Sequence, residues 1–392
     1  MSPESPEIKR MERFDYVFLG AGCAALSLVM RMISCGKFRD KKILLVDKAP
    51  KNKNDRTWCF WEKGKGFFEE IICREWETIS YKSNEFSASL NIAPYRYKMI
   101  RSIDFYNYCF GEITRHDNIK ILYGELKTWD YHKNGLTICI DDYRLELPKA
   151  TVFNSIFEKA DIKKGSITLL QHFKGWVIKT NEQFFKNEPA TLMDFRVHQE
   201  HGTSFAYILP FDDDTALVEF TLMTKSVLEQ DQYDKELRHY IEQVLKIPEY
   251  EIKEQEFGII PMTNHRFSFA GKGWNIGTAG GQTKASSGYS FQFIQKQSIQ
   301  ILDYLLSSKP LGQMPSTPWR FRFYDNTLLH ILYHNQLPAS TVFSRLFQKN
   351  KPSQVLRFLD NESTLSEELK IISTLPVLPF LKAAMRGGRL IG

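Results

Sequence analysis

The residues best placed to do chemistry lie close to the start of the chain. Gly20, Gly22 and Ala25 follow the apolar run Tyr16-Val17-Phe18-Leu19 in the spacing G-x-G-x-x-A. A glycine at 20 permits a tight turn, one at 22 lets a pyrophosphate approach the backbone, and a small residue at 25 lets helix and strand pack closely. A helix-compatible stretch, 25–33, follows at once, so its free N–H groups and dipole would face the phosphates. A second apolar run, Lys42-Ile43-Leu44-Leu45-Val46, ends in Asp47, an acid placed to accept hydrogen bonds from ribose hydroxyls. Strand, glycines, helix and spaced acid together predict a dinucleotide site on a Rossmann-type α/β unit. A second glycine turn, Gly277-Thr278-Ala279-Gly280-Gly281, precedes a helical pattern over about 286–306. Gly277, Gly280 and Gly281 are expected to bring backbone N–H groups to the same cofactor. Arg101, just before helical spacing at 103–113, is a further candidate cofactor contact.

Other constellations carry less. Asp194 and Arg196 alternate on one face of a predicted strand, which reads as a structural ion pair. His330 and His334 have the i,i+4 spacing of a zinc pair, but no H-E-x-x-H sequence or nearby cysteine accompanies them. His198 and His201 are weaker still, so no metal is expected. The six cysteines all precede residue 140 and show no C-x-x-C spacing, which reads as reduced thiols in a cytosolic protein.

These residues need a scaffold, and the chain is long enough for two interleaved units at 392 residues. Alternating runs at 77–82, 95–101, 175–180, 190–197, 203–210, 215–221 and 254–260 predict strands, with a hairpin turn at Phe211-Asp212-Asp213-Asp214. Helical patterns cover 103–113, 230–245 and 286–306. Beyond Pro318 the chain reads as helices broken at Pro352, Pro376 and Pro379. The expected division is a discontinuous cofactor domain (14–75, 101–165 and 255–308), an inserted antiparallel β-sheet substrate domain (76–100 and 166–254) and a C-terminal helical region (316–392). Composition adds 29 Phe, 17 Tyr and 7 Trp, a surplus that suits a pocket for a large apolar ligand. The net charge of +6 is dispersed, so nucleic-acid binding is not expected. Residues 1–13 lack the apolar core of a signal peptide, and no stretch has the apolar length of a membrane span.

Seven blocks in register carry a family resemblance. They are Gly20-Ala21-Gly22, Arg56-Thr57-Trp58-Cys59-Phe60-Trp61, Leu192-Met193-Asp194-Phe195-Arg196, Tyr207-Ile208-Leu209-Pro210-Phe211, Leu217-Val218-Glu219-Phe220-Thr221, Gly258-Ile259-Ile260-Pro261-Met262-Thr263, and the segment 276–289. From residue 14 to about 385 the chain resembles the flavin-dependent lycopene cyclases. The resemblance implies a glutathione-reductase-type FAD fold and an isomerisation. In it the linear ψ-ends of lycopene, or of a similar acyclic carotene, close to β-ionone rings. It also implies FAD working in its reduced form, NAD(P)H as reductant, and no net redox change.

Cyclisation needs a proton delivered to a terminal alkene, a tertiary cation kept from water, and a base for the ring proton. A carboxylic acid in an apolar pocket suits the first step, because desolvation keeps it protonated. Glu219 meets that need: it lies in a β-like run with one face buried, and it aligns with the first acid of the family's L-x-E-[ED]-T motif. The second acidic position is Phe220, which removes one possible acid or base and leaves Glu219 as the motif's only carboxylate. Trp58, Phe60, Trp61, Tyr207 and Phe211 are the expected pocket rings, since a π face attracts positive charge.

Rival readings are a flavin monooxygenase and an isoprenoid reductase acting on a large apolar substrate. Monooxygenases of this plan carry a D-G motif and a G-D turn, where this chain has Asn154-Ser155 and Gly281-Gln282. Because the substrate dissolves in membranes, the apolar stretch 371–381, followed by Lys382, Arg386 and Arg389, is expected to touch a lipid surface. The expected location is cytoplasmic, peripheral to the membrane.

Overall fold

The computed structural model describes residues 8–9, 13–132, 135–159, 162–268, 270–271 and 273–387. Two sheets dominate. The first is a mostly parallel six-stranded sheet in the order Ala270–Gly271, Gly273–Asn275, Thr151–Asn154, Tyr16–Leu19, Ile43–Asp47, Ile119–Tyr123. Strand 43–47 is buried at every position, the condition that a parallel sheet with both faces covered imposes on its apolar runs. Helix Cys23–Ser34 makes the crossover from strand 16–19 to strand 43–47 and packs against helix Phe291–Leu306. The chain thus has the Rossmann-type FAD-binding fold, with a sheet domain and C-terminal helices.

The second sheet has seven strands, ordered Tyr250–Thr263, Thr168–Thr180, Thr215–Thr224, Thr203–Pro210, Ala190–Asp194, Thr78–Lys82, Ser87–Asn91. All its pairs are antiparallel except 190–194 with 78–82. Its two faces pack differently because strand side chains alternate. Val218, Phe220 and Leu222 enter a core with Tyr233 and Leu237 of helix Gln230–His239. Leu217, Met223, Tyr207 and Leu209 face the opposite core, closed by Leu329, Phe343 and Leu356 of the C-terminal helices. A three-stranded sheet, Thr57–Lys63, Tyr95–Arg101 and Arg74–Trp76, stands between the two systems. A four-stranded sheet of Ile8–Lys9, Tyr143–Leu147, Gly135–Ile140 and Leu126–His132 covers the outer side.

Several elements differ from the sequence reading. The helix expected at 230–245 ends at His239 and continues as a π-helical turn, Tyr240–Val244. The helix expected to follow the second glycine turn starts only at Phe291, because 283–290 folds into turns through Gly288 at φ +74°. Pro376 precedes the last helix, Val377–Gly387, whereas Pro379 lies inside its first turn. There a missing N–H costs nothing, so Pro379 does not break it. Pro352 opens its helix rather than ending one. Asp194 and Arg196 do form the expected ion pair, at 2.6 Å, and Tyr240 Oη donates to the same carboxylate at 2.7 Å. All six cysteines are free thiols.

Candidate active site

The cofactor turn is built by local backbone. Gly20 ends the first strand at φ +87°, where a Cβ would stand 2.5 Å from the Ser155 hydroxyl oxygen. Gly22 caps helix 23–34, and a Cβ there would meet nothing within 4 Å, so the helix N-terminus opens onto free space. The Ala21 N–H donates to Asp47 Oδ2 at 2.7 Å, and Lys51 Nζ donates to Oδ1 at 2.8 Å. Asp47 therefore stands against the glycine turn, at the end of its strand, with Lys51 on its second oxygen. Ala25 is fully buried in the helix–sheet core.

The second glycine turn meets the first. Gly277, at φ +61°, approaches so closely that a Cβ would lie 2.7 Å from the Ala24 Cβ. The expectation that its glycines offer N–H groups is corrected by their bonding. Gly277 donates to Gln297 Oε1 at 3.0 Å, Gly280 to the Ile276 carbonyl at 3.2 Å and Gly281 to the Thr278 carbonyl at 3.0 Å. These glycines act by lacking side chains. Arg101 is held by Asp104 at 2.7 and 3.0 Å, and its charge is felt by Cys73. Besides Lys51, a cation acting on the cofactor turn is Arg56, exposed and paired with Asp55 at 2.9 Å. Its charge acts on the Cys23 thiol in the first turn of helix 23–34, which burial pushes up to about 12. Its only sequence signal was its place in the Arg56–Trp61 block, beside a basic loop. The open space at Gly22, the unpaired first-turn N–H groups and Arg56 suit a pyrophosphate, and Asp47 suits a ribose, so these residues fit FAD.

Glu219 sits in the middle of strand 215–224, on the face closed by the C-terminal helices. The register sets Tyr207, Glu219, Gly175 and Glu256 side by side on four adjacent strands, and directly opposed residues share a face. Both glutamates are buried. Thr221 Oγ1 donates to Glu219 Oε1 at 2.7 Å, and Thr57 Oγ1 donates to Glu256 Oε2 at 2.9 Å. Burial pushes the Glu219 carboxyl well above the usual carboxylate range, and the facing Glu256 adds to the rise. Glu256 is itself raised by burial. Arg56, whose charge acts on the cofactor turn, and Thr57, bonded to the carboxyl pair, are thus one chain step apart.

Of the five expected rings, the structure puts three on Glu219's side, two of them close to it and Phe211 farther off. Tyr207 is directly opposite it, and Trp61 packs on the same core edge-on to Tyr289, ring centroids 4.7 Å apart. Trp58 and Phe60 point the other way, because strand 57–63 alternates: Trp58 meets Phe105 at 5.2 Å and Phe60 stacks on Phe291 at 4.3 Å. Phe211 lies at the hairpin turn, four positions along the strand from Tyr207, or about 13 Å. Tyr97, Tyr289 and Cys59, which the sequence did not single out, surround the carboxyl pair instead. Burial raises all three above their ordinary values.

The family model described as "Lycopene cyclase protein" matches residues 15–385. The chain belongs to the lycopene cyclase family. No curated protein matches it. Among solved structures it resembles the flavin-dependent brominase Bmp2 (TM-score 0.64, 12% identity, 92% of this chain and 98% of that one). It also resembles a flavoprotein/dehydrogenase from Cytophaga hutchinsonii (0.60, 12%, 96% and 100%) and a geranylgeranyl bacteriochlorophyll reductase-like protein from Thermoplasma acidophilum (0.58, 11%, 95% and 96%). At such identities these likenesses speak for the shared fold.

The departure of this lycopene cyclase family member from L-x-E-[ED]-T takes a different meaning in three dimensions. Phe220 points to the opposite face from Glu219, into the core against helix 230–239. The substitution therefore removes no carboxyl from Glu219's side of the sheet. A second carboxyl is there all the same, supplied by Glu256 from a distant strand.

Proposed function

We propose that the protein is a lycopene β-cyclase, closing the ψ-ends of lycopene to β-ionone rings by acid–base chemistry with reduced FAD bound and NAD(P)H as reductant. The observation that carries this reading is the buried Glu219 carboxyl, pushed well above the usual carboxylate range, in a core it shares with Tyr207 and Trp61. Glu219 gives its proton to the terminal alkene. Its Oε1 is held by Thr221, which fixes the carboxyl's orientation along the strand. Tyr207 and Trp61 present ring faces that stabilise positive charge, and the C-terminal helices exclude water that would otherwise trap the cation. The helix N-terminus at Gly22, with Asp47 and Arg56, would hold FAD. Reduced FAD held there would supply an electron-rich ring system able to stabilise positive charge. Expression in a lycopene-accumulating host tests the reading: γ-carotene and β-carotene should appear, and unchanged lycopene or hydroxylated products would contradict it.

The substrate reaches the enzyme from a membrane, and the last two helices offer a contact. Among the described residues, no helix is long and apolar enough to cross a membrane. Ile371 and Leu375 of the apolar stretch are core, but Val377, Leu378, Leu381 and Met385 are exposed, with Lys382 and Arg386 also exposed beside them. Arg389 lies outside the described residues. Apolar side chains flanked by cations suit an anionic lipid surface. Leu378→Glu/Leu381→Glu should therefore cut co-sedimentation with anionic liposomes several-fold, and unchanged binding would remove this face from the contact. Lys382→Glu/Arg386→Glu tests the cations separately.

A further inference from the structure

The carboxyl facing Glu219 is not accounted for by packing. Glu256 belongs to Tyr250–Thr263, whose neighbours Glu251, Lys253, Glu254 and Gln255 are all exposed, yet Glu256 itself is 7% exposed. One of its oxygens, Oε2, is satisfied by Thr57, whereas the buried Oε1 meets no donor N–H or hydroxyl among the described residues and the carboxyl's remaining hydrogen-bond partner is the carboxyl of Glu219. Two buried carboxyls can bond to each other only when one of them holds a proton for the other to accept. The direction of Glu256 is given by Gly175: a Cβ built there would stand 3.4 Å from Glu256 Oε1 and 3.1 Å from its Cγ. The side chain thus leans over Gly175, into the gap on whose far side Glu219 stands. Glu219 and Glu256 are two strands apart, about 10 Å between backbones. Two glutamate side chains cross such a gap only because the residue between them has none.

We propose that Glu219 and Glu256 work as a one-proton pair, with Glu219 the acid and Glu256 the base that takes the ring proton. This rests on the cyclase reading above. In the first step the Glu219 O–H bond breaks and its proton joins the terminal alkene carbon, leaving a tertiary cation and two carboxylates beside it. The neighbouring double bond then closes the ring, moving the cation into it. Glu256 Oε1 accepts a proton from the ring carbon next to that cation, and the C–H electrons become the ring double bond. A single transfer from Glu256 back to Glu219 restores the starting state. No proton is consumed over the cycle, and no oxidant or reductant enters it.

The surroundings favour this division. The remaining titratable groups facing the pair are Cys59, Tyr97, Tyr207 and Tyr289, each raised by burial and so neutral at ordinary pH. On the Thr57 side, the Asp55 carboxyl is held down and the Arg56 guanidinium held up by their pairing. The two glutamates are left as the groups able to exchange a proton near neutrality.

The test compares three variants as FAD-loaded, reduced protein with lycopene. Glu256→Gln keeps an oxygen for Thr57 to bond, so it should fold and hold FAD, yet form rings about 100-fold more slowly. Without a like charge beside it, Glu219 would lose its proton at lower pH, so the high-pH limb of the residual rate should move down. A Glu256 that only filled space as a neutral side chain would leave both that limb and the rate in place. Glu256→Asp should recover part of the rate. Gly175→Ala, which puts a methyl between the carboxyls, should slow ring formation while leaving FAD bound. A Glu256→Gln protein with the wild-type rate and pH profile overturns the pair. If Glu219→Gln is inactive in the same assay, only the pair has failed; if Glu219→Gln is active, the cyclase reading of Glu219 has failed as well.

Discussion

Glu219→Gln yields a folded protein that retains FAD and has lost ring formation by at least about 100-fold, the usual worth of a positioned acid. The amide keeps the shape and the bond from Thr221 but has no proton to give. Product analysis after incubation with lycopene measures the loss, and flavin absorbance of the purified variant shows that the cofactor site is intact. In the wild type the rate should be highest below the raised Glu219 pKa and fall as pH climbs through it, because only the neutral carboxyl is an acid. Stability should move in the same direction. A carboxyl whose folded value lies above its unfolded value binds more protons when folded, so it costs increasing stability as pH rises from the unfolded value to the folded one. Glu219→Gln removes that cost, and its melting temperature at pH 8 should equal or exceed that of the wild type. An inactive variant that is also the more stable one separates catalysis from structure.

The two glycines of the cofactor turn should fail in different ways. Gly20→Ala forces a side chain into a left-handed conformation and against the Ser155 hydroxyl at 2.5 Å. It should lower the melting temperature of the apoprotein as well as FAD binding, with strain alone of about 1–3 kcal/mol. Gly22→Ala meets nothing within 4 Å and keeps an ordinary φ of −87°. It should leave apoprotein stability nearly unchanged while weakening FAD binding about tenfold or more, since the new methyl occupies the space where a pyrophosphate would lie. Thermal melts with and without FAD read both effects. Equal FAD affinity in Gly22→Ala and wild type would place the phosphates elsewhere.

What the sequence made legible follows from how local each feature is. The Gly20 turn, helix 23–34 and Asp47 are encoded within one short stretch, and the structure assembles them from that stretch alone. Strand 203–210 and the hairpin at 211–214 were readable from alternation and turn residues. Glu219 was readable because its own strand is apolar on both sides of it. Glu256 was not. Its local run, Glu251 to Gln255, looks like a solvated edge, and its burial comes from Gly175 and Thr57, residues distant in the chain and joined to it only by sheet register. The rings were half legible for a related reason: the Arg56–Trp61 block announces aromatics, but alternation along the strand sends Trp58 and Phe60 away from Glu219 and Trp61 towards it. Arg56 escaped notice because an exposed arginine in a polar loop has no periodicity to betray it.

The central claim is that the cofactor serves an acid–base isomerisation. Protein loaded with FAD, reduced, and incubated with lycopene in deuterated water without oxygen should produce β-ionone rings. The ring formed in the first turnover of enzyme pre-equilibrated in deuterated water should carry one deuterium delivered by the buried carboxyl, with no net consumption of NAD(P)H. A requirement for oxygen, stoichiometric consumption of NAD(P)H, or first-turnover rings free of deuterium would contradict it.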